Sequence, residues 1–186
     1  MNQLISVMAA ITLLLALTWA PVGVANADRV AQDSRAVRMS GSVLLGPAMS
    51  SPRASHTATV LPDGRVLVLG GFVENGSSRG AEAYDPGNRR FAPLPPMVTT
   101  RHSHTATLLE GGKVLIVGGY AEEGRVLASA EVLDPLTNSF VSTGPLGSAR
   151  AGHVAVRLDN GMVLVVGGVG PSWKFLASAE LYNPAT

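Results

Sequence analysis

No cysteine occurs anywhere in the 186 residues. That excludes disulfides, thiolate metal sites, cysteine nucleophiles and lipoprotein acylation, so stability has to come from packing and strand pairing. Aromatic residues make up only 5% and charged residues only 15% of the chain. Neither sign of charge dominates, since 14 Lys and Arg stand against 13 Asp and Glu for a net charge of +1. A nucleic-acid or membrane-surface binder would carry a basic excess on one face, so neither partner is expected. What the chain does hold is apolar residues, at 46%, with 21 Gly and 12 Pro. This composition suits one domain of many short strands joined by turns, not long helices.

The N-terminus reads as an address. Leu4 to Trp19 is an apolar run, no charge precedes Asp28, Pro21 breaks the helix, and Ala25-Asn26-Ala27 supplies small residues where a signal peptidase reads. The expectation is a signal-peptide helix over residues 1–27, cleaved after Ala27. The n-region lacks Lys and Arg, and an uncleaved membrane anchor is the alternative. Either way the remainder is placed outside the cytoplasm, secreted or periplasmic. Residues 28–41 read as a linker.

From residue 42 the chain repeats itself. His56, His104 and His153 open HTATVL, HTATLL and HVAVRL, at intervals of 48 and 49 residues. Each segment runs into a turn, then into an apolar stretch closed by two glycines: RVLVLGG at 65–71, KVLIVGG at 113–119 and MVLVVGG at 162–168. After a variable loop come AEAYDP, AEVLDP and AELYNP, with Glu82, Glu131 and Glu180 spaced 49 apart. A period near 50 is the first fact a fold assignment must satisfy. Each copy predicts four strands. The turns Pro62-Asp63-Gly64, Glu110-Gly111-Gly112 and Asp159-Asn160-Gly161 suit tight hairpins. The second strand, Val114 to Val117 for example, is apolar on both faces and so has to be covered on both. Asp-Pro or Asn-Pro ends the third strand, because proline has no N–H for the ladder. The fourth is short, Arg90 to Ala92 or Phe140 to Ser142.

These features resemble the kelch repeat. The glycine doublets are Gly70-Gly71, Gly118-Gly119 and Gly167-Gly168. The third-strand aromatic is Tyr84 and Tyr182, with Leu133 in the middle copy, and Phe91 and Phe140 stand where the family has a fourth-strand tryptophan. The resemblance implies an all-β chain: a kelch-type β-propeller of three four-stranded blades over residues 42–186, with repeats at about 42–86, 89–135 and 138–184. Ser42 to Pro47 aligns with residues 140–145, so the domain is expected to begin with a fourth strand. Propeller rings have four to eight blades. The expectation is therefore an incomplete ring from a truncated chain. The alternatives are two chains joining into a six-bladed ring or a strained three-bladed ring, and self-association to complete the ring goes with the first of these.

Residues that recur once per blade serve the blade. Arg53, Arg101 and Arg150, the three repeated histidines, and Glu82, Glu131 and Glu180 are all read as structural, and no metal site or cofactor is assigned. Function is expected where the copies differ, in the loops after the glycine doublets at 72–80, 120–129 and 169–178. The binding candidates there and in the adjoining connections are Glu74, Asn75, Arg79, His102, Glu122, Glu123, Arg125, Trp173 and Lys174. Exposed Trp and Arg are typical anchors. The expected function is noncatalytic binding of a protein or glycan through that loop face. The alternative is a fragment of a propeller enzyme, either copper radical oxidase-like or sugar-processing. The resemblance to the first implies a cysteine cross-linked to tyrosine, which this sequence cannot supply, and Tyr120 is its one tyrosine in a loop. The second requires a converging acid/base pair, for which Glu122 and Glu123 are the adjacent loop acids.

Overall fold

The computed structural model describes residues 41–186. The expected signal peptide and all but the last residue of the linker lie outside the described residues. The fold is built from antiparallel strands. In the first blade, β1 (Thr57–Val60), β2 (Val66–Leu69), β5 (Ala81–Asp85) and β6 (Arg90–Leu94) lie in that order. A two-stranded hairpin, β3 (Phe72–Val73) with β4 (Gly76–Ser77), projects between β2 and β5. The second blade orders β7 (Thr105–Leu108), β8 (Val114–Val117), β9 (Ala130–Asp134) and β10 (Ser139–Thr143) in the same way. The third has three strands, β11 (Val154–Arg157), β12 (Val163–Val166) and β13 (Ala179–Tyr182). The inner strand β7 packs against both β1 and β11, so the blades stack side by side through their first strands.

Packing explains the apolar second strands. Val114 to Val117 are fully buried in the middle blade. Val114 and Ile116 face the core shared with the first blade, where they meet Leu67, Leu69 and Met97. Leu115 and Val117 face the opposite core, with Val163 and Val165 of the third blade. Successive side chains of a strand point to opposite faces, so four consecutive apolar residues serve two cores. β12 shows the converse. Val163 and Val165 are buried while Val166 is 38% exposed, because this strand is covered on one face only. Val154, Val156 and Leu181 on the same blade are exposed with it.

Two expectations are corrected. The blades carry four, four and three strands, not four each. Ser42 to Pro47 does not form a fourth strand, as residues 41–49 have no ladder partner and Leu44 and Leu45 are exposed. A single strand with neither a ladder nor an apolar surface beside it is not stable in water. The fourth strands that do form are longer than expected. Phe91 sits opposite Tyr84 with ring centroids 5.1 Å apart, and Phe140 sits opposite Leu133.

Candidate functional site

The per-blade arginines and glutamates fasten each incoming connection to the third strand of its own blade. Nη2 of Arg101 donates to Glu131 Oε1 at 2.6 Å, and Nη1 donates to the carbonyls of Gly118 at 2.7 Å and Ser129 at 3.2 Å. Glu131 also accepts the backbone N–H groups of Val98 and Thr99. Arg53–Glu82 and Arg150–Glu180 repeat the arrangement at 2.5 and 2.7 Å. Arg101 and Arg150 are wholly buried. Desolvation pulls the Arg101 guanidinium below its ordinary value, while the hydrogen bond and charge of Glu131 oppose the change. At Glu180 burial pushes the carboxyl up, but bonds from Arg150, Gly147 and Ser148 prevail and hold it below the usual range.

The repeated histidines serve the boundaries between blades. His104 Nε2 lies 3.1 Å from the Thr57 hydroxyl of the first blade, and His153 Nε2 lies 2.9 Å from the Thr105 hydroxyl of the second. Desolvation first, then the neighbouring arginine charge, pushes His104 down to about 3 and His153 down to about 4. Both are neutral at physiological pH. These arginines, glutamates and histidines are therefore spent inside the fold.

The faces that differ between copies gather elsewhere. Each connection into a blade pairs with the loop after that blade's glycine doublet. Ala54 bridges Phe72, His102 bridges Tyr120, and Ala151 bridges Val169. His102 is thus the one large side chain at a position that is alanine in the other two copies. Its ring stands edge-on to Phe72 of the first blade, with centroids 5.3 Å apart and planes at 79°. On its other side lies Tyr120, at 5.2 Å and 31°. Tyr120 in turn lies 6.1 Å from Trp173 of the third blade. Four rings from three copies therefore run in series across the loop face.

Beside this series is an open cleft of about 470 Å³, lined by Phe72, Asn75, Ser77, His102, Glu122 and Glu123 together with neighbouring small residues. The hairpin β3–β4 forms one wall and the turn Glu122–Gly124 the other. Adjacent side chains of an extended chain diverge, but Glu123 has a left-handed backbone (φ 54°), and both glutamates line the cleft. Burial holds the His102 imidazole below its ordinary value. Among the described residues neither Glu122 nor Glu123 forms an ion pair.

Of the residues expected at the site, the structure brings Asn75, His102, Glu122 and Glu123 together. Trp173 joins them through Tyr120 and is 76% exposed. Glu74, Arg79, Arg125 and Lys174 are exposed but do not line the cleft. Phe72 and the structural part played by Tyr120 were missed. The signal was present, because the residue directly after each doublet is Phe, Tyr and then Val.

The family model described as the Kelch motif matches residues 52–98 and 101–147 in tandem. The chain belongs to the kelch-repeat family, and its stacked four-stranded sheets are blades of a kelch β-propeller. The third copy lies outside both matches and keeps the same Arg150–Glu180 fastening. No curated protein matches the chain.

Proposed function

We propose that this chain is a noncatalytic, extracytoplasmic binding module that holds a protein or glycan partner against its loop face. Kelch repeats generally mediate protein binding, which supports the broader part of this reading. The observation that carries the rest is Trp173, a large apolar residue left three-quarters exposed on a left-handed backbone with φ 60°. Left-handed geometry in a bulky residue costs on the order of 1–2 kcal/mol and collects at working surfaces. Nothing in the core needs the indole there. A partner that covers it would recover the burial of a large aromatic surface.

The enzymatic alternatives find less support. A copper radical centre of the kind described above needs a cysteine that this sequence lacks. The carboxylates of Glu122 and Glu123 have no hydrogen-bond partner among the described residues to orient one as acid and the other as base. The test is binding of the purified chain to a peptide display library and to a glycan array, run beside Trp173→Gly. Retention by the parent and loss in a variant of unchanged melting temperature support the reading. Equal retention by both would remove Trp173 from the interface and the reading with it.

A further inference from the structure

We propose that the cleft between the first and second blades receives a cationic side chain, lysine or arginine, from a partner polypeptide. This rests on the loop-face reading and names the chemistry of the ligand.

Charge comes first. Glu122 and Glu123 line the cleft, no lysine or arginine does, and neither glutamate is in an ion pair among the described residues. His102, the one titratable cation in the lining, is neutral at physiological pH because burial opposes its protonation. The charge on the lining itself is therefore negative, with the exposed Arg125 one residue beyond it.

Ring geometry comes second. A sugar face is best held by a flat aromatic platform. Here Phe72 and His102, the two rings that line the cleft, stand at 79° to one another, while Tyr120 lies outside the lining. Rings at such angles form a corner, and a compact cation is attracted by the π-face of any ring within about 6 Å. Phe72 is 51% exposed and offers that surface at the mouth. The Asn75 amide on the hairpin wall also lines the cleft, whereas the Ser77 hydroxyl already donates to the Tyr120 carbonyl at 3.4 Å. A cation entering between Glu122, Glu123 and these rings would meet both forms of attraction at once.

The experiment is an NMR titration of the isotope-labelled full chain with three probes. The first is a Gly/Ser peptide carrying an Arg-Lys pair. The second is the same peptide with both basic residues replaced by citrulline. The third is a neutral cello-oligosaccharide. The basic peptide is expected to shift the amides of 72–77, 102 and 120–124. Its affinity is expected to fall about tenfold in the double variant Glu122→Gln/Glu123→Gln, and to fall again in about 0.5 M salt. The salt arm needs no variant and stands if the variant is poorly folded. Shifts of equal size with the citrulline peptide, or no shifts with the basic one, overturn the proposal. Binding of the oligosaccharide at the same amides, unaffected by the double variant, would also overturn it while leaving the loop-face reading in place. If no probe perturbs the loop face and the arrays are also silent, both fall.

Discussion

Trp173 occupies the backbone position that Gly124 holds one repeat earlier. Both are left-handed, with φ 60° and 71°, and each closes a turn in which the following residue donates its N–H back to the turn's first carbonyl. Glycine takes this conformation without steric cost, and tryptophan does not. Trp173→Gly is therefore expected to leave the melting temperature unchanged or raise it by a few degrees, because relief of strain offsets the lost contact with Tyr120. A fall of about 10 degrees in a thermal melt would show that the indole is part of the packing and would count against its role as an anchor.

The Arg101–Glu131 pair gives a second prediction. Removing one partner strands the other charge in the interior, which costs about 3–5 kcal/mol. Arg101→Met alone is expected to lose that much in chemical denaturation. Arg101→Met/Glu131→Leu should recover part of the loss, although Val98 and Thr99 then lose their acceptor. The equivalent change at Arg150 should cost less, since the Glu180 side chain is 24% exposed and water reaches it. Equal losses at both sites would refute the role of burial.

The glycine doublets set a third test, through two equivalent positions. A Cβ on Gly118 would lie 2.4 Å from the Arg150 carbonyl and 2.9 Å from His153 Cε1, both from the third blade. On Gly167 the nearest atom beyond its chain neighbours is the Leu176 carbonyl at 3.6 Å. Each alanine variant pays about 1 kcal/mol for its left-handed backbone. Gly118→Ala must also push two blades apart and strain the Gly119 N–H bond to Arg150. It is expected to lose at least about twice the stability lost by Gly167→Ala, as measured by urea unfolding.

Acid should loosen the blade boundaries. The folded-state values of His104 and His153, about 3 and about 4, lie below the 6.5 of a free imidazole. Between those limits the unfolded chain binds protons that the folded chain refuses. Stability is therefore full above about pH 6.5 and falls as the pH drops toward 4, by up to about 1.4 kcal/mol per pH unit for each histidine. Urea unfolding between about pH 5 and 6.5 isolates this from carboxylate titration. His104→Gln/His153→Gln should reduce the slope there to the share left by His102, which burial also holds below its ordinary value. A slope undiminished in the double variant would show that other groups carry it.

The sequence by itself determined what is periodic. The period, the strand pattern, the hairpin turns and the structural standing of the Arg, Glu and His of each copy were all legible, because a residue repeated once per blade meets the same neighbours in every blade. The two-sided burial of Val114 to Val117 was legible for the same reason. Tertiary structure decided what is not periodic. Phe72, His102, Tyr120 and Trp173 lie in separate loops up to about a hundred residues apart. Their alignment depends on the angle at which one blade packs on the next, which no local pattern encodes. The failure of Ser42 to Pro47 to join a sheet has the same origin. Strand-like composition states that a segment suits a ladder, but the ladder itself is supplied by a partner strand in space. The cleft likewise exists because the hairpin of one blade and the Glu122–Gly124 turn of the next face each other across a boundary.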